Sequence, residues 1–405
     1  MIASVALDRA SDRGDNARSR KGSPPVGRVV VALSGGVDSA VAAWLLQRQG
    51  YDVLPLFMKN WEEDDRGGYC AAAADLRDAE QVCEKLGLGL RTVNLSSEYW
   101  DRVFTPFLAA CRAGQTPNPD VLCNQEIKFR AFLDHALALG ATHIATGHYA
   151  RVLQDDDGFH LLKGRDLGKD QSYFLHRLGQ SELARTLFPL GALTKPEVRQ
   201  LAISAKLSVH GKKDSTGICF IGERPFARFL SRYLGYSPGA IETAEGEVLG
   251  QHIGLAYYTL GQRRGLGIGG KRGGTGAPWY VVAKDFKRHS LIVTQGHQHP
   301  ALYAPELIAE DVHWIPRRRF RFPLRCQAKT RYRQMDQPCE IEIAQDTCRV
   351  RFDRPQWAPT PGQFVVFYEG AECLGGGRIR ADANKEPLGK CGGGPYRGDG
   401  TCCRR

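Results

Sequence analysis

From Arg28 the chain runs Arg-Val-Val-Val-Ala-Leu and passes without a break into Ser34-Gly35-Gly36-Val37-Asp38-Ser39. A short apolar run bounded by glycines reads as a buried parallel strand, and Val41–Gln49, ended by Gly50, reads as the helix that follows. Two glycines let the backbone approach an anion closely, and the serines add hydroxyl donors. A helix N-terminus then presents unsatisfied N–H groups at the positive end of its dipole. No Gly-Lys-Ser/Thr closes this loop, so it is not a Walker loop. The alternative is a plain strand–turn–helix connection with Asp38 as the N-cap.

Further strands are expected at Tyr51–Met58, Leu90–Leu95 and His143–Ala150, with helices at Ala71–Leu86 and Ile127–Leu139, each helix stopped by a glycine. Strands alternating with helices predict an α/β, doubly wound parallel-sheet domain over 28–225. After Gly239 glycines become dense and short β-type segments appear at Leu255–Leu260, Trp279–Ala283 and Ser290–Thr294. This predicts a small mixed, β-rich linking domain over 226–300. Segments such as Cys339–Ala344 and Phe364–Tyr368 predict a C-terminal β-barrel over 301–374. Residues 1–27 and 375–405 are expected to be disordered, the second as a basic tail.

Composition narrows the class. There is no run of about 18 apolar residues, which excludes a membrane-spanning helix. Residues 1–28 carry acids and lack an apolar core, so a secretory signal is not expected and the protein is expected in the cytoplasm. The net charge of +11 resides largely in the two ends and is weak evidence for nucleic acid by itself. Within the body, 316–333 holds eight bases and no acid (Arg317, Arg318, Arg319, Arg321, Arg325, Lys329, Arg331, Arg333), interleaved with Phe320, Phe322 and Tyr332. That pattern suits RNA, the alternative being a solvated basic strand edge. His160 and His176 read as ordinary surface residues.

Twelve cysteines without a Cys-x-x-C pair argue against a disulfide scaffold, a zinc ribbon or a cluster site. Two sit in unusual company. Cys123 lies in Thr116-Pro-Asn-Pro-Asp-Val-Leu-Cys-Asn, where Asp120 and Cys123 stand at a helix entrance that would favour a thiolate. Cys219 lies in Asp214-Ser-Thr-Gly-Ile-Cys, with Lys212 and Lys213 available to stabilise an anion. Cys70, Cys83, Cys111, Cys326, Cys339, Cys348, Cys373 and Cys391 read as small apolar fillers.

The hexapeptide 34–39 resembles the pyrophosphatase loop of the ATP-pyrophosphatase superfamily. Six motifs in order then resemble a single family, tRNA-specific 2-thiouridylase (MnmA/TrmU). They are S-G-G-V-D-S, T-P-N-P-D-V-L-C-N, A-T-G-H-Y-A, G-K-D-Q-S-Y-F-L, D-S-T-G-I-C-F-I-G-E-R and Y-T-L-G-Q-R-R-G-L-G-I-G-G. The likeness runs from about 28 to 370, and the tail with Cys391, Cys402 and Cys403 departs from it. It implies ATP-dependent 2-thiolation of the wobble uridine in the tRNA anticodon region, with ATP cleaved to AMP and pyrophosphate. ATP would sit on Ala32, Leu33, Ser34, Gly35, Gly36, Val37, Asp38, Ser39, Met58 and Gly147, with Mg2+ on its phosphates and no protein metal site. Cys219 would carry a persulfide, Cys123 would resolve it through a Cys123–Cys219 disulfide, and Asp120 would serve as acid or base. Asn118, Pro119 and Asp120 would meet the target base. His148, Lys169, Asp170, Gln171, Arg331, Tyr332 and Gln363 would contact tRNA. A sulfur-donor protein, a cysteine desulfurase or a relay, is implied as a second partner. Other readings are a ligase or another RNA-modifying enzyme of the same superfamily, and a non-catalytic RNA-binding protein.

Overall fold

The computed structural model describes residues 26–62, 71–213, 226–269, 276–344 and 347–381. Cys70, Cys219, Cys391, Cys402 and Cys403 therefore lie outside the described residues, as do the two expected tails for most of their length. No helix among the described residues is long and apolar enough to cross a membrane.

Strand β1 (Arg28–Ala32) is central because Val29, Val30 and Val31 are wholly buried, as a parallel strand covered on both faces requires. On one side of it lies β2 (Asp52–Lys59), followed outward by β3 (Arg91–Asn94). On the other side lies β4 (His143–Ala145). The chain then forms the hairpin β5 (Ala150–Asp155) and β6 (Gly158–Lys163) and returns to the first sheet as β7 (Thr186–Leu187). All pairings in the order β3-β2-β1-β4-β7 are parallel. Helices α1 (Val37–Arg48) and α2 (Ala71–Leu86) pack on this sheet. The order reverses between β1 and β4, and the carboxyl ends of those strands are where open α/β sheets take ligands.

The middle unit is a four-stranded sheet, β8 (Gly239–Thr243), β9 (Val248–His252), β10 (Trp279–Asp285) and β11 (Ser290–Gln295). The last unit has six strands: β12 (Tyr303–Trp314), β13 (Leu324–Lys329), β14 (Gln337–Ala344), β15 (Thr347–Trp357), β16 (Phe364–Glu369) and β17 (Glu372–Ile379). They pair in the order β12-β15-β14-β13-β16-β17, and β12 pairs again with β17, which closes a barrel. The α/β class with a C-terminal barrel is as the sequence predicts.

Several local expectations differ. The fourth strand stops at Ala145, and Ala150 opens the hairpin, which joins the barrel sheet through Leu161–Cys373 and Leu162–Glu372. Leu255–Tyr257 is a 3-10 turn, not a strand. The helix expected from Ile127 begins eight residues earlier at Pro119, because Asn118 caps it and proline is tolerated in a first turn. β17 runs through the point at 375 where a tail was expected. His160 and His176 are buried, not surface residues. His160 sits between Glu372, 2.6 Å away, and Asp155, 2.8 Å away. His176 donates from Nδ1 to the Tyr173 carbonyl at 2.7 Å, and burial pushes its pKa down to about 3.

That burial sets a pH dependence. Between pH 6.5 and 5 the unfolded chain protonates His176 and the folded chain does not, so stability falls as pH falls, by about 1.4 kcal/mol per unit for each such histidine. His160 works the other way. Its pKa is raised by its two carboxylates against burial, so its contribution is complete below the ordinary histidine value and is lost at higher pH. Urea unfolding at pH 6.5 and 5 should show the loss, and His176→Gln should reduce the slope. A slope equal in both proteins would refute the buried neutral imidazole.

Candidate active site

Four residues separate β1 from the start of α1, and Gly36 is the N-cap with no side chain capping the first turn. The orphan N–H groups of a helix start are therefore not met by a capping side chain. Gly35 has φ +71°, and a Cβ there would lie 2.2 Å from the Asp75 carbonyl oxygen, so only glycine fits. Ser39 Oγ donates to the Gly36 carbonyl at 3.0 Å and lies 3.3 Å from Ser34 Oγ. Asp38 is inside the first turn, not its cap.

The loop after β4 closes on this turn. A Cβ on Gly147 would be 2.9 Å from Asp38 C and Ser39 N, so its glycine permits backbone-to-backbone contact across the switch point. Met58, on β2 beside Val93, is half-buried at the other edge. Tyr149 donates its hydroxyl to Asp38 at 2.8 Å, and buried Lys195 lies 2.8 Å from both Asp38 oxygens. Lys212 donates to the Gly35 carbonyl at 3.0 Å and to Asp75 and Asp78. Burial would lower its pKa, but those two carboxylates hold it raised. Lys212 thus buttresses the phosphate loop from behind; the expectation that it stands ready for an anion beside Cys219 needs correcting. Sequence reasoning missed Lys195 and Tyr149. Lys195 opens a helix behind the Thr194–Glu197 capping box, and nothing local ties it to Asp38.

A second feature lies where the three units meet. A cavity of about 330 Å³ is lined by Asn118, Pro119 and Asp120 from the first unit, Tyr257 and Thr259 from the second, and Arg331, Tyr332 and Gln363 from the barrel. Gln363 donates to the Thr116 carbonyl at 2.7 Å, and Thr116 N–H donates to the Pro361 carbonyl at 2.8 Å. Arg331 reaches the Ala358 carbonyl at 2.7 Å and lies over Trp357, 4.6 Å from the ring centroid. Tyr332 packs against Phe174 at 4.5 Å. Cys111 also lines this cavity, its thiol pushed up to about 12 by burial, in line with an inert filler.

Cys123 is buried, one turn beyond Asp120. Its N–H already bonds into the helix, to the Pro119 and Asp120 carbonyls, so it lies past the turn where the dipole acts. The helix-entrance argument for its thiolate therefore does not hold. The backbone from Cys123 to Ala131 is a π-helix, a wide turn often found at functional sites.

Of the other expected tRNA contacts, Lys169 and Gln171 are half-buried and Gln171 accepts from the Tyr149 N–H at 3.0 Å. Asp170 is buried, its carboxylate accepting from Gly164, Ser172 N and Ser172 Oγ. His148 is buried beside Phe129 and Phe188, and burial with nearby Lys128 keeps its pKa well below the ordinary value. In this arrangement Asp170 and His148 face inward, and what they touch is protein. In the basic run, Arg318 pairs with Glu369, Arg325 with Asp353, and Lys329 lies near Asp170 and Asp336, whereas Arg317, Arg319, Arg321 and Arg333 are exposed. Among the described residues no cluster of three or more His, Cys, Asp or Glu is arranged to hold a metal.

A parallel sheet whose switch point offers a Ser-Gly-Gly loop at an uncapped helix start defines an α/β protein of the doubly wound class, with that loop where such sheets take ligands. Comparison with known proteins agrees and narrows it. Residues 27–223 match the family model described as tRNA methyl transferase HUP domain, 227–295 its PRC-barrel domain, and 304–379 an aminomethyltransferase beta-barrel domain. The chain is 57% identical over 354 residues to tRNA-specific 2-thiouridylase MnmA of Shigella flexneri, covering 87% of this chain and 96% of that protein. It is 58% identical over 356 residues to the protein of that name from Tolumonas auensis, with the same two coverages. The chain belongs to the tRNA-specific 2-thiouridylase family. A solved U34-tRNA thiolase from Methanococcus maripaludis superposes with a TM-score of only 0.32 at 19% identity, over 51% of this chain and 64% of that one, too distant to carry an argument.

The loop geometry makes a direct prediction. Gly35→Ala should cost more than about 1 kcal/mol of stability and weaken ATP binding in calorimetry. An affinity equal to the parent's would show that the loop does not hold the nucleotide.

Proposed function

We propose that the protein makes 2-thiouridine at the wobble position of tRNA. What supports this most is the cavity, which gathers Asn118, Pro119 and Asp120 with Arg331, Tyr332 and Gln363 from more than 200 residues away. The family resemblance assigns the first three to the target base and the others to tRNA. Methyl transfer, for which two of the matching families are named, gives no use to a phosphate loop or to the two cysteine motifs.

In this reading ATP lies across the β1/β4 switch point with its phosphates on residues 34–39 and its adenosine toward Met58 and Gly147. Mg2+ would ride on the phosphates and would supply charge neutralisation there. The uridine is extruded from the anticodon stack into the cavity. Its C2 oxygen attacks the α-phosphorus and pyrophosphate leaves, which turns a poor electrophile into one with AMP as leaving group. A persulfide on Cys219 attacks C2 and AMP departs. The thiolate of Cys123 then attacks the Cys219 sulfur, releasing the thiolated base and forming a Cys123–Cys219 disulfide that a thiol reductant reopens. Asp120, at the cavity wall, handles the proton at the base.

Lys169, Gln171 and the exposed arginines of 317–333 are the candidates for tRNA phosphates and sugars. Asp170 and His148 would act by holding the segments that carry those contacts. A sulfur-donor protein completes the reaction, and the cytoplasm is where such a tRNA would be met.

Nucleoside analysis of tRNA after incubation with ATP, Mg2+ and a persulfide donor tests the reading, and 2-thiouridine is the expected product. Cys219→Ser and Cys123→Ser should each abolish it, while Cys219→Ser should still form AMP and pyrophosphate in a tRNA-dependent way. Thiolation by Cys219→Ser at the parent's rate would overturn the persulfide assignment.

A further inference from the structure

Away from the site described above, the barrel brings two thiols together. β13 and β14 are antiparallel with Cys326 directly opposite Cys339, and their Sγ atoms are 3.7 Å apart. Opposed Cα atoms in an antiparallel pair lie about 4.5 or 5.5 Å apart, within the span a disulfide accepts. Reaching a bonded separation of about 2.05 Å asks for side-chain rotation, not for a new register. Access is graded as a redox pair needs. Cys326 is only half-buried, whereas Cys339 is fully buried. Cys348, the other cysteine of this barrel core, is in register with Ile343 and not with Cys326. The residues between the two thiols, 327–338, include Arg331 and Tyr332 of the cavity wall.

We propose that Cys326 and Cys339 are a reversible dithiol–disulfide pair, a modification site at the base of the hairpin that carries Arg331 and Tyr332. The oxidant is a hydroperoxide. The accessible Cys326 sulfur attacks the peroxide oxygen, the O–O bond breaks, and Cys326 becomes a sulfenic acid with water released. Cys339 sulfur then attacks the Cys326 sulfur, the S–O bond breaks, and the Cys339 proton leaves with the hydroxyl as a second water. Two thiols lose two electrons and hydrogen peroxide becomes two waters. The hydrogen bond to Cys326, followed by burial, raises the Cys339 pKa far above the usual thiol range, which keeps the proton on the resolving partner until that second step. A thiol reductant reverses the bond by exchange. In a reducing compartment such disulfides are transient and redox-sensing.

The test uses the reduced full-length protein, treated with hydrogen peroxide, alkylated, digested with trypsin and mapped without reduction. Cleavage after Arg325, Lys329 and Arg333 puts Cys326 and Cys339 on different peptides. Fragment ions distinguish Cys339 from Cys348, which share one. The expected result is peptide 326–329 joined to 334–349 through Cys339, disappearing on addition of dithiothreitol. Cys326 recovered alkylated, over-oxidised or joined through Cys348 would overturn the pairing. Because closing a loop constrains the unfolded chain, the oxidised parent should also melt higher than the reduced one. Cys326→Ser, a near-isosteric change, should lose both the cross-link and that peroxide-dependent shift. A shift of equal size in Cys326→Ser would assign it to other cysteines.

Discussion

The Asp38 carboxylate, gripped by Lys195 and Tyr149, holds the first unit of this molecule in register. Lys195 is buried while Asp38 is only partly so, and removing the carboxylate would leave the ammonium there without its counter-charge. The contact joins three separate parts of the chain: the first turn of α1, the loop after β4 and the helix that starts at Lys195. Gly147 lets the second of these sit against the first at backbone distance. From behind, Lys212 ties the Gly35 carbonyl to Asp75 and Asp78 on α2. The Ser34–Ser39 loop is thus shaped by charge on both sides while its helix start keeps no side-chain cap.

The second half of the site depends on how the units dock. The Thr116–Asp120 segment is stiffened by Pro117 and Pro119 and pinned to the barrel by backbone and Gln363 hydrogen bonds, with Thr116 and Thr259 hydroxyls 3.3 Å apart toward the middle unit. A cavity built this way has walls from all three units, so its shape responds to movement of any one of them. The hairpin β5–β6 adds a further clamp, since residues of the first unit extend the barrel's sheet. Buried Lys163 on that hairpin bonds Asp336 and the Gly370 carbonyl and stacks over Tyr368.

Much of this was legible beforehand where the signal is local. The Val29–Val31 run and the Ser34–Ser39 loop appear at the expected places and α2 matches to the residue, whereas α1 starts at Val37, four residues before the expected Val41. Several of the errors share one physical origin, which is that burial is not local. His160, between Phe159 and Leu161, and His176, between Leu175 and Arg177, are covered by residues distant in sequence, Glu372 of β17 and Phe364 of β16. Leu255–Tyr257 has strand-like composition but forms a turn packed in the core. Half of the basic run 316–333 is turned inward or paired, which its charge pattern does not reveal.

The sequence by itself determined the family, because six ordered motifs are local signals read directly along the chain. The identity of 57–58% with 2-thiouridylases extends over 354 and 356 residues, well beyond those motifs. Only the tertiary structure decided that Lys195 and Tyr149 govern Asp38, that Asn118 and Asp120 share a cavity with Arg331 and Tyr332, and that Cys326 faces Cys339. These are contacts between residues brought together by sheet order and barrel closure, and no periodicity or spacing along one chain encodes a distance across it.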